Sequence, residues 1–154
     1  MTDMQARNRE VLNAVRVRRD RLYEAILDLE RALAVPAGGH PREWADATGA
    51  AVDRLGTVLE SHVADTEADG GFFDVVRDHA PQLLHAVEQI QAEHGPLIEA
   101  TAVVSARLGG VVGDADVDDV RDEAVELIRR LLRHRQRGVE LVYDAYSVDV
   151  SAAD

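Results

Sequence analysis

Three clusters of helix-ending residues divide the chain, and the pieces they leave can fold in few ways. They are Val35-Pro36-Ala37-Gly38-Gly39, Asp69-Gly70-Gly71, and the stretch from Gly109-Gly110 to Gly113-Asp114. Glycine accepts the left-handed conformation that ends a helix, and proline cannot continue one. Four segments remain, at residues 4–34, 41–68, 81–108 and 117–147. At 1.5 Å per residue each would span about 40 to 45 Å as a helix. Segments of matched length with short connections pack as an antiparallel, up-down-up-down four-helix bundle, so the expected fold class is all-α.

Apolar residues recur at spacings of three and four in each segment, which is the helical period. The first carries Val11, Val15, Leu22, Ile26, Leu29 and Leu33, and the second Ala51, Leu55, Val58, Leu59 and Val63. The third carries Leu84, Val87, Ile90, Leu97, Ile98 and Val104, and the fourth Val120, Ala124, Leu127, Leu131, Leu141, Val142 and Ala145. Pro41 sits at a first helical position, and Asp116 is placed to cap the fourth helix. Phe72 to Arg77 predicts a short extra turn whose aromatic pair caps one end of the core. Gly95-Pro96 predicts a bend in the third helix, since proline removes a helix hydrogen bond.

A chain of 154 residues is ample for one core and short for two, so residues 1–147 read as a single domain and 148–154 as a C-terminal tail. Val148 and Val150 are the tail residues suited to docking on the bundle end. The formal charge of −12 argues against nucleic acid or an anionic membrane as the partner, because both require a basic face. All seventeen basic residues are arginine. With no cysteine there is neither a disulfide framework nor a thiolate site, which fits a cytoplasmic protein. The first twenty-one residues alternate charged and apolar side chains, unlike a signal peptide or a membrane span. No Gly-x-Ser-x-Gly elbow, phosphate-cradling glycine loop or His-Glu-x-x-His helix occurs, so a conventional enzyme is not expected.

Three histidines break the apolar stripes. His62 follows Leu55 and Leu59, His94 lies between Ile90 and Leu97, and His134 lies between Leu131 and Leu141. Each is expected to point inward, where imidazoles and carboxylates from facing helices hold iron or manganese in bundles of this type. Counting along the helices puts His94 and His134 at one level and His62 about 10 Å below, unless the helices are staggered by two turns. With six histidines in the chain, two or three would face inward by chance.

The run Ser61-His62-Val63-Ala64-Asp65-Thr66-Glu67, then Gly70-Gly71-Phe72-Phe73, Ala92-Glu93-His94 and Arg133-His134-Arg135-Gln136 resembles the successive motifs of hemerythrin-like (HHE cation-binding) domains. That resemblance implies a non-haem iron centre in a four-helix bundle serving oxygen carriage, sensing, or iron and redox homeostasis. It also implies a ligand set drawn from His62, Glu67, His94, His134 and Glu140. The chain departs from the family pattern in four places. Its first helix has no histidine, with Tyr23, Arg18 and Arg19 in that neighbourhood, and Thr66, Ile98 and Val139 stand where further ligands are expected. A reduced, mononuclear site is one reading. The other is a metal-free interaction or regulatory module that keeps the bundle and serves a protein partner or a second copy. In that case the histidines would bond to Arg, Glu or Tyr, and Arg18 could pair with Glu67 or Glu140.

Overall fold

The structure, a computed structural model, describes residues 2–153, and their side chains through residue 148. The helical spacing is realised as α1 (Asp3–Ala34), α2 (Pro41–Glu67), α3 (Phe72–His79), α4 (Leu84–Gly109) and α5 (Asp114–Ala153), with one 3-10 turn at Pro81–Leu83. No strand occurs among the described residues. The four long helices close a ring in which α1 packs on α2, α2 on α4, α4 on α5 and α5 on α1, and the short α3 touches all four.

Two arginines tie the ends of these helices together. Arg42, in the first turn of α2, donates to the carbonyls of Leu108, Gly109 and Val111 at 3.3, 3.2 and 2.9 Å. Arg121, early in α5, donates to the carbonyls of Leu33 and Val35 at 3.1 and 3.4 Å. The last carbonyls of a helix lack intrahelical donors and carry the negative end of its dipole, so each guanidinium satisfies both needs. The start of α2 therefore lies beside the end of α4, and the start of α5 beside the end of α1.

Helix limits follow the sequence closely except in the last helix, which begins at Asp114 and continues through Ala153. Asp116 reaches back to accept hydrogen bonds from the backbone N–H groups of Val112 and Gly113, at 2.9 and 3.1 Å, and these bonds hold its carboxyl below the usual range. Val148 packs on the lower core, while the side chain of Val150 lies outside the described residues. Residues 84–109 form one unbroken helix through Gly95-Pro96. Pro96 is exposed, as is Ala92 one turn earlier, so the carbonyl that loses its donor faces water.

The interior consists of two apolar stacks. The upper one runs from Leu22, Leu59, Leu97 and Leu131 to Leu33, Trp44, Leu108 and Val117. The lower one joins Leu12, Phe72, Phe73, Val76, Ile90 and Leu141. Between them lies a buried polar layer of Thr66, His94 and His134. The turn before α3 fixes the lower stack. Gly70 adopts φ +71°, and a Cβ on Gly71 would stand 2.6 Å from the Asp65 carbonyl oxygen and 2.8 Å from that of Ala68. Only glycine permits that approach, which sends Phe72 and Phe73 directly into the core. Gly71→Ala is expected to destabilise the protein by about 2 kcal/mol, read as a lower urea midpoint at unchanged m-value.

Candidate metal centre

The polar layer is built by α2, α4 and α5, which supply His62, His94 and His134. Their ring centroids are 5.6, 5.6 and 5.0 Å apart, and one nitrogen of each lies within 4.8 Å of the others. His94 and His134 are 2 % exposed and His62 is partly buried. The offset of about 10 Å expected for His62 is absent. Residues 72–83 form α3 and the 3-10 turn, so α4 starts well beyond the end of α2 and His94 meets His62 ten residues into its helix.

Hydrogen bonding determines which nitrogens face inward. His94 Nδ1 lies 2.9 Å from Glu67 Oε1, and a carboxylate only accepts, so Nδ1 carries a proton and, in the neutral ring, Nε2 is the bare nitrogen. That Nε2 is buried with no partner. His134 Nδ1 faces Glu93 Oε1 at 3.5 Å, which leaves its Nε2 pointing at His62 Nε2, 3.4 Å away. That separation is long for an N–H···N bond. Two nitrogens each about 2.05 Å from one ion at a tetrahedral angle are about 3.3 Å apart, so the pair suits a shared ion better than a shared proton. A metal-ligating histidine commonly donates its other ring N–H to a carboxylate, and Glu67 gives His94 that arrangement. Three imidazoles suit iron, zinc or copper. The donor set fits one metal ion.

The surroundings disfavour the charged form of His62 and His134. Burial, followed by the neighbouring His134, His94, Arg19 and Arg18, pushes the His62 pKa down to about 3. Burial also lowers that of His134, with His94 adding to the effect and Glu93 opposing it. Phe73 stacks on His94 at 5.6 Å with an interplanar angle of 21°, fixing the ring from below.

Two of the five residues expected as ligands take other places. Glu67 lies five positions after His62, about 140° around the helix. As the last residue of α2 it reaches across to His94 and orients that ring from outside the cluster. Glu140 is six positions after His134, about 120° away, and its carboxylate accepts from Gln136 on the exposed face. The structure does not bring it to the histidines. Arg18 pairs with Asp65 rather than with Glu67 or Glu140. Thr66 turns its hydroxyl back to the His62 carbonyl at 2.9 Å. Sequence reasoning missed Glu93, which contacts His134 and binds Arg137 at 2.5 Å. It also missed Arg135, whose guanidinium covers the Tyr23 ring at 4.4 Å. Both are sequence neighbours of an inward histidine, but only the register between helices shows what they touch. Comparison with known proteins adds no relative: no family model, curated protein or solved structure matches the chain.

A neutral, partly buried His62 makes the metal-free protein acid-sensitive. Its folded pKa lies below the unfolded value near 6.5, so at higher pH neither state binds a proton there. As pH falls from about 6.5 towards 3 the unfolded state alone becomes protonated, and stability falls by up to about 1.4 kcal/mol per pH unit. Urea unfolding of metal-free protein at pH 7, 6, 5 and 4 should show this slope, and His62→Gln should flatten it.

Proposed function

We propose that this chain is a metal-binding helical bundle, antiparallel and up-down-up-down in the manner of hemerythrin-like domains. It holds one non-haem metal ion on the Nε2 atoms of His62, His94 and His134, for oxygen-, redox- or iron-related sensing. The ring of helices, and the helix ends joined by Arg42 and Arg121, support the bundle topology. The reading rests on one observation above the rest: a buried His94 Nε2 with no partner, in a cluster with two imidazoles whose charged forms are disfavoured. An unpaired polar atom at such depth costs roughly 1–3 kcal/mol, which a coordinated ion would remove. Iron is the ion to which the resemblance points, and imidazole is a suitable donor for it. When bound, iron supplies a one-electron couple and positions open to a small ligand.

The chain's own residues do the holding. Glu67 accepts a hydrogen bond from the Nδ1–H of His94 and so keeps Nε2 available. Glu93 stands by His134 Nδ1 and is itself held by Arg137. Phe73 and the two apolar stacks keep bulk water from the rings, and burial keeps His62 unprotonated well below neutral pH.

Elemental analysis of freshly purified protein should find about one equivalent of iron per chain, and His94→Ala should reduce it below about a tenth. Metal-free protein should melt higher when the ion is restored, by about 2.7 kcal/mol of stabilisation at a hundredfold excess over Kd. Absence of any stoichiometric metal in the parent would sink this reading and leave the bundle as an interaction module. Glu67→Gln should weaken metal binding about ten- to hundredfold in competition with a chromogenic chelator, with helicity unchanged.

A further inference from the structure

His94 and His134 are equally buried, and each turns its Nδ1 toward a glutamate, but the two glutamates are not equally free. Glu67 lies 2.9 Å from His94 and has no other partner among the described residues. Glu93 is shared. Its Oε2 accepts from Arg137 Nη1 at 2.5 Å, while its Oε1 stops 3.5 Å from His134 Nδ1. A carboxylate has two oxygens and can serve two donors, yet Glu93 Oε1 and His134 Nδ1 are both buried with no hydrogen-bond partner. The proton of His134 is therefore held less firmly than that of His94. Its Nε2, 3.4 Å from His62 Nε2, is the competing place for that proton.

We infer that Arg137 is a positioning residue that acts on the histidine cluster through Glu93, holding that carboxylate back from His134 and leaving the ring divided between its two tautomers. With both partners charged, the contact of Arg137 with Glu93 outcompetes a neutral imidazole N–H for the same carboxylate. Arg137 is 47 % exposed and stands in a cleft between α4 and α5 that opens to solvent. Its hold on Glu93 can thus be released with no disturbance of the core. On release, Oε1 has only the difference between 3.5 and 2.9 Å to close before His134 has the arrangement that His94 already has. Both imidazoles then present a bare Nε2 to the space they share with His62. A carboxylate that receives the outer N–H of a metal-ligating histidine fixes its tautomer and raises its basicity, so release of Glu93 strengthens the site. That last consequence rests on the metal reading above, whereas the position of the His134 proton does not.

Nitrogen-15 spectra of the histidine rings in metal-free protein, stripped with chelator and held at neutral pH, read the proton directly, because a protonated ring nitrogen and a bare one differ widely in shift. In the parent, His94 is expected wholly as the Nδ1–H tautomer and His134 as a mixture of the two. Arg137→Gln should move His134 to Nδ1–H and leave His94 unchanged. The same variant should bind iron(II) about tenfold more tightly in anaerobic competition with a chromogenic chelator. Loss of a positive charge would by itself favour a cation, and two controls separate that effect. Arg133→Gln removes a charge from the same cleft and should change the affinity less than threefold. In a Glu93→Ala background, Arg137→Gln should lose its effect on both readouts. Circular dichroism checks the helicity of each variant, and if the double variant fails to fold, the spectra of the parent and of Arg137→Gln still decide. A His134 wholly in the Nδ1–H form in the parent, an unchanged His134 in Arg137→Gln, or tightening that persists without Glu93 would overturn the inference. A parent that binds no iron(II) sinks the metal reading alone, and the spectra of metal-free protein still decide this one.

Discussion

The hydrogen bond from His94 Nδ1 to Glu67 organises the centre of this protein. A carboxylate at the end of α2 fixes the proton of an imidazole on α4, and that choice turns a bare nitrogen toward two further histidines. Without it, His94 could hold its proton on either nitrogen, and the polar layer would be three rings exchanging weak contacts. With it, His94 has one nitrogen given to a carboxylate and the other left for the two neighbouring rings. Burial disfavours the charged forms of His62 and His134, and Arg137 holds the Glu93 carboxylate that stands beside His134.

Much of the fold was legible in the sequence because its punctuation is chemical. Glycine and proline end helices for steric reasons that do not depend on tertiary context, and the apolar spacing named many residues of the upper stack, though not Trp44, Leu108 or Val117. The short α3 was visible in part, as an aromatic turn, but its consequence was not. It shifts α4 along the bundle, and that shift brings His62 level with His94. Levels counted along helices assume ends that coincide, and a connecting helix removes that assumption.

The candidate site was half legible. Histidines that interrupt an apolar stripe are conspicuous, because burying an imidazole needs a reason. The carboxylates were harder to read. Angular position on one helix says which way a side chain leaves the backbone, not how far it travels at a helix end. Glu140, in the middle of α5, stays where its angle puts it, on the exposed face. Glu67, at the terminus of α2, is free to cross to its neighbour. Glu93 and Arg135 carry no local signal, since their roles depend on which residues of a different helix stand opposite.

Glu67 occupies a place that helix physics alone would not give it. The carboxyl end of a helix is its negative pole and favours a cation, yet the last turn of α2 has no basic residue and ends on an acid. Position 67 therefore sets two preferences of the chain against each other. Selection for thermal stability alone would exchange this glutamate for lysine, arginine or asparagine and strengthen α2, at the same time freeing the His94 proton to move between its nitrogens. The residue marks a point where the protein gives up stability to keep one imidazole in one tautomer.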